Sequence, residues 1–151
     1  MTFVFEKIAF GKYDRLRIER GGIVEELACP KIGGIPHDMV HFAVENAMNA
    51  KGFMRRVAGG EMAGFRMAGE MESDQMERLV EVMQADAISG YPHPGDLIDM
   101  YRVTCDARGV DPYDVGENDI ARIRAEMKRL EHLWAETPAG GTLVLAFDEQ
   151  C

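Results

Sequence analysis

The sequence predicts a single α+β domain spanning residues 1–151. Its antiparallel sheet is an N-terminal three-strand meander plus the C-terminal strand, with about four helices between. Three observations lead there. The first 28 residues are rich in aromatic and β-branched side chains, with apolar and polar positions alternating. Between Pro36 and Trp134, outside residues 51–72, the apolar residues instead recur at spacings of three and four. "TLVLAF", residues 142–147, then returns to a strand composition. A chain of 151 residues suits one domain and buries roughly two-thirds of its unfolded surface, enough for a core without staples. It contains no repeat, low-complexity tract or interdomain linker.

Taken in order, "TFVFEKIAF" suits a half-buried strand, and Gly11-Lys12 breaks it. In "YDRLRIER", Leu16 and Ile18 alternate with Arg15, Arg17 and Glu19, the pattern of a strand buried on one face. Gly21-Gly22 marks a hairpin turn, because glycine accepts positive φ without steric cost, and "IVEELA" follows as a third strand. "CPKIGGIP" reads as a loop. Pro36 suits the start of a helix running to about Asn49. Residues 51–72 mix glycine with methionine, and "GFRMAG" within them fits either a short strand or a loop. Ser73 is a good cap for a helix whose apolar face is Met76, Val80, Met83 and Ala87. A fourth segment, about Gly95 to Arg108, turns Leu97, Ile98, Tyr101 and Cys105 inward, and "DPYD" predicts a short turn. The longest helix begins near Asn118, with Ile120, Ile123, Met127, Leu130 and Trp134 as its apolar stripe.

Composition narrows the functional classes. Apolar residues make up 46% and charged residues 28%, a globular balance. The chain is acidic, with 17 basic and 26 acidic residues, a net charge of −9. Such a field repels DNA, RNA and anionic lipid, so neither nucleic acid nor membrane is expected as a partner. The basic spot "KGFMRR" (Lys51, Arg55, Arg56) reads as solvated side chains. Cys29, Cys105 and Cys151 are odd in number and far apart, which argues against a disulfide framework and a four-cysteine zinc site. No signal-peptide pattern opens the chain, and no stretch reaches the ~18 apolar residues of a membrane span. A cytoplasmic location with reduced thiols is the expectation.

The chemistry-bearing stretch is "GGIPHDMVHFAVENAM", where His37 and His41 stand four apart and Glu45 follows one turn later. On a helical wheel Met39, Val40, Ala43, Val44 and Ala47 share one side. His37, Asp38, His41 and Glu45 share the opposite side, with Phe42 at its margin and Met48 within it. The helix is therefore expected to be covered on both sides, the polar stripe lining a cleft. Two histidines at i and i+4 can ligate one metal ion, as in H-E-x-x-H. Here Asp38 replaces the glutamate and is one methylene shorter. Glu45 lies roughly 12 Å along the axis from His37, too far to complete the same site, though it can share one with His41. A third ligand must come from elsewhere: His93, His132 or Cys29. The structural alternative is equally concrete. Asp38 can complement the helix dipole, and His41 and Glu45 can simply pair.

Other chemistry is weakly represented. No G-x-G-x-x-G, P-loop or G-x-S-x-G pattern occurs, and Ser73 and Ser89 are the only serines. Cys29, before a proline, fits a buried inert thiol better than a nucleophile. Eight of the eleven methionines fall between Met39 and Met83, where gap-filling in a core accounts for them better than an adaptable binding surface.

"IPHDMVHFAVE" followed by Gly52-Phe53 resembles a family of small uncharacterised bacterial proteins. In it a short β-meander leads into a Pro-His-Asp helix with a second His and a Glu. The resemblance covers mainly the first 55 residues. It implies a small bacterial cytosolic protein with Pro36, His37, Asp38, His41 and Glu45 as hallmark, and it implies no reaction. The expected function is non-enzymatic binding of a small ligand or protein partner at the helix from Pro36 to Glu45, with His37, Asp38, His41 and Glu45 as ligand-binding residues. The alternative is a metal-dependent, hydrolase-like enzyme with His37 and His41 as ligands to a divalent transition metal.

Overall fold

The structure is a computed structural model and describes residues 2–60 and 71–147, apart from the side chain of residue 32. The "GFRMAG" segment and Cys151 lie outside the described residues. Strands β1 (Thr2–Glu6), β2 (Tyr13–Arg20), β3 (Ile23–Ile32) and β4 (Ile35–Pro36) come first. Helices α1 (His37–Met48), α2 (Phe53–Ala58), α3 (Met71–Ser89), α4 (Pro94–Ala107) and α5 (Glu117–Glu136) follow, and β5 (Thr142–Leu145) closes the chain. The strands form one antiparallel sheet in the order β4-β3-β2-β1-β5. The α+β architecture with the C-terminal strand in the N-terminal sheet is as expected.

Register follows the period-two pattern. Phe3 faces Ile18 and Phe5 faces Leu16, all four buried, while Arg15 and Glu19 on the opposite face are exposed. β5 joins the other edge of β1, setting Leu145 against Phe3 and Leu143 against Phe5. Gly21 and Gly22 both hold positive φ, 52° and 85°, as the two-residue hairpin between β2 and β3 requires.

The segment expected as a loop is a correction. β3 runs on through Pro30 to Ile32, and Gly33-Gly34 turns it into β4. Burial draws it in, since Cys29 and Ile35 belong to the core, and the Lys31 N–H bonds to the Lys12 carbonyl. Helices number five among the described residues rather than about four, because α2 is only six residues long and has no side-chain cap of its own. Ser73 lies inside α3 instead of capping it, and its hydroxyl accepts a hydrogen bond from Arg56 at 3.3 Å. "DPYD" forms no turn. Its polar groups bond outward: the Tyr113 N–H to the Tyr101 hydroxyl, and the Asp111 carbonyl to the Gln75 amide. The basic spot is solvated at Lys51 but not along its whole length. Arg56 is buried, and the Arg55 guanidinium lies 4.3 Å over the Phe147 ring.

One hydrophobic cluster draws on all ten elements. α1 lies at its middle, touching α2, α3, α5, β3 and β4, and every residue from Met39 to Glu45 is buried. Both sides of the helix are therefore covered. No helix among the described residues is long and apolar enough to cross a membrane.

Candidate metal centre

α1 starts where it does because Pro36 precedes its first turn and Asp38 complements the dipole; it ends at Asn49, whose φ of 52° is left-handed. His37 and His41 project from one face towards α3. The two Nε2 atoms stand 3.2 Å apart, and the rings meet edge to face. Glu77 of α3 completes the cluster, its Oε2 lying 3.1 Å from His41 Nε2. One donor atom from each of the three residues falls within 4.8 Å of the others. The Phe53 ring covers His41 from the side of α2.

Glu45 does different work. It is fully buried, with its carboxylate at the start of α2. Its Oε1 accepts the N–H groups of Gly52 at 3.1 Å and Arg55 at 2.8 Å, and its Oε2 accepts that of Met54 at 3.0 Å. It therefore supplies the N-terminal cap that α2 lacks in its own sequence. His41 Nδ1 sits 3.8 Å from Glu45 Oε2. Both Nδ1 atoms, of His37 and His41, are buried without a hydrogen-bond partner among the described residues.

The electrostatics are coupled. Burial opposes charge on His41, but the hydrogen bond and charge of Glu77, helped by Glu45 and Asp38, outweigh it and raise its pKa above the ordinary value. Burial pushes the Glu45 carboxyl up to about 7, against the opposing pull of His41 and three backbone N–H groups. Glu77 also feels burial, but His41 and His37 hold it below the usual carboxylate range.

The structure thus brings His37 and His41 together and adds Glu77, which sequence reasoning missed. The residues considered for the third position lie elsewhere. His93 is exposed at the start of α4, its Nδ1 accepting from the Gly95 N–H, and His132 is exposed beside Glu136 on α5. Cys29 is buried; burial first, then the neighbouring Asp38 carboxylate, pushes its thiol far up, so it is an inert core group. The signal for Glu77 was its place beside Met76 and Val80, a carboxylate bordering an apolar helical stripe. No family model, curated protein or solved structure matches this chain.

Proposed function

We propose that His37, His41 and Glu77 bind one divalent transition metal ion. The observation that carries this is the convergence of their donor atoms at 3.1 and 3.2 Å. Ligands bound at about 2.0–2.1 Å with tetrahedral or octahedral angles stand roughly 2.9–3.4 Å apart, so these two spacings suit a shared ion, while His37 and Glu77, whose donor atoms lie within 4.8 Å of each other, would draw together on binding it. The convergence also calls for positive charge. Histidine nitrogens and carboxylate oxygens present lone pairs unless protonated, and His41 Nε2 has one position with which to face two neighbours. Two imidazoles and a carboxylate suit zinc, iron(II), cobalt or nickel better than magnesium or calcium.

Three protein ligands leave a coordination position for water or substrate, the pattern of catalytic rather than structural sites. A bound ion supplies Lewis acidity and a coordinated water of lowered pKa. The Glu77 side chain is 37% exposed while that of His41 is 5% exposed, so solvent reaches the cluster from the α3 side. Asp38 stands where H-E-x-x-H carries its general base, but its side chain is one methylene shorter and reaches a metal-bound water poorly. The reading is therefore a metal-dependent, hydrolase-like site without the zinc-protease base.

The test is bound metal in untagged protein purified without chelator, measured by mass spectrometry. Stoichiometric zinc, iron, cobalt or nickel is expected, retained in His93→Ala and lost in His41→Ala and Glu77→Ala. No metal, with no thermal shift on adding any of the four ions, retires the site. Binding of a small ligand or protein partner at α1 would then be the surviving reading; the partly exposed His37 and Glu77, at the edge of a buried polar row, support it.

A further inference from the structure

We infer that Glu45 is a positioning residue for this site, holding the His41 ring by a hydrogen bond from Nδ1–H and tying ion binding to the start of α2. The inference rests on the metal reading above and extends it to a residue that would touch no ion.

The argument is an account of lone pairs. A carboxylate offers about four acceptor positions, two on each oxygen. Glu45 Oε1 uses both, on Gly52 and Arg55. Oε2 uses one, on Met54. The remaining position belongs to the oxygen that lies 3.8 Å from His41 Nδ1. That nitrogen is itself buried without a partner among the described residues. The carboxylate oxygen with a position to spare and the ring nitrogen thus lie 3.8 Å apart, about 1 Å longer than a hydrogen bond.

Ligation explains why they would close. An ion held by His41 Nε2 places the ring proton on Nδ1, and a ligating histidine almost always donates that proton to a carboxylate, carbonyl or water. Glu45 is the acceptor in place. Its position is set from behind as well. A Cβ on Gly52 would lie 2.7 Å from Glu45 Cδ and 2.9 Å from Oε2, so the carboxylate rests directly against a residue with no side chain. Three backbone donors in front of α2 and the Gly52 surface fix the carboxylate, and the carboxylate in turn would fix the ring.

The test begins with the unaltered protein carrying ¹⁵N-labelled histidine. Long-range ¹H–¹⁵N spectra with stoichiometric Zn²⁺ should show His41 protonated at Nδ1 and metal-bound at Nε2. Zinc bound at Nδ1, or an Nδ1 without a proton, overturns the inference. Zinc affinity is then measured by chelator competition for wild type and Glu45→Gln, with Gly34→Ala as a control away from the site. Glu45→Gln should bind roughly 10- to 100-fold more weakly, the usual loss when an outer-shell partner is removed. A folded Glu45→Gln with wild-type affinity shows that Glu45 only caps α2, and overturns the inference. Should Glu45→Gln fail to fold, the ring spectra of the wild type decide alone. If wild type binds no zinc or other ion, the metal reading fails and takes this inference with it. Tight wild-type binding with the wrong ring nitrogen on the metal fails this inference alone.

Discussion

Glycine 52 and glycine 34 make a sharp comparison among single residues. Both precede a helix-bearing stretch, and neither needs positive φ. An added Cβ at Gly52 meets a buried, three-fold hydrogen-bonded carboxylate, whereas at Gly34 it meets the aliphatic part of Glu131 at 3.4 Å. Gly52→Ala should therefore cost about 2–3 kcal/mol by overpacking. Gly34→Ala should lie within about 1 kcal/mol of neutral, since lost unfolded-state freedom offsets the close fit. Urea midpoints of the two variants would check this, and equal midpoints would show that the Glu45 carboxylate yields freely. The buried charges also set a pH dependence for the metal-free protein. Burial raises Glu45 to about 7, so folding favours its protonated form, and stability falls as pH rises from about 4.5 to 7. His41 is raised by Glu77 in spite of burial, so its contribution is whole below about 6.5 and is lost as pH climbs through the raised value. Glu77, despite burial, is lowered by the His41 hydrogen bond, and its contribution is lost only on acidification below about 4.5. Metal-free protein should thus have a higher urea midpoint at pH 5.5 than at pH 8. Saturating zinc should shrink or reverse that difference, because imidazole must shed its proton to bind an ion. A metal-free midpoint indifferent to pH over this range would contradict the buried row.

Among the elements, those whose pattern is local were legible. The buried residues of α4 and α5 are the ones that the three-and-four spacing picks out. β2 matches its alternating segment end to end. What escaped was held by distant partners. α2 is six residues long and has its free N–H groups capped by a side chain from α1, so nothing in its own residues announces it. β4 exists because Ile35 is drawn into the core. Glu77 enters the site only because α3 packs on α1, which no spacing within either helix reveals. The same principle turned the predicted turn at Asp111 into an irregular link. Tyr101 bridges it to α3, donating to the Gln75 carbonyl at 3.1 Å and accepting the Tyr113 N–H at 3.0 Å. Tyr101→Phe keeps the ring and leaves that N–H unpaired, and should cost about 1–3 kcal/mol. Thermal unfolding of the variant would check it, and an unchanged midpoint would mean that the link contributes nothing to holding α4 on α3.

At the scale of the whole molecule the chain closes on itself through its C-terminal strand. β5 pairs with β1 over four residues, and Phe147 just beyond it stacks on Phe42 of α1 at 4.8 Å. Truncation before Gly141 removes both, baring the β1 edge and one side of the aromatic cluster around Phe3. The truncated chain should lose cooperative unfolding, with near-ultraviolet circular dichroism flattened while far-ultraviolet helix signal largely persists; a sharp melting transition would show that the strand is dispensable.

α1 is wrapped by α2, α3, α5 and the sheet, and no local opening can bare it without parting several of those layers. Its amide hydrogens should therefore exchange with deuterium only when the entire domain opens, at a rate that reports global stability. The exposed ends of α3 and α4 should exchange sooner, through smaller openings. Any ligand that steadies the fold would then be visible first, and in full, as slowed exchange at the centre of this one helix.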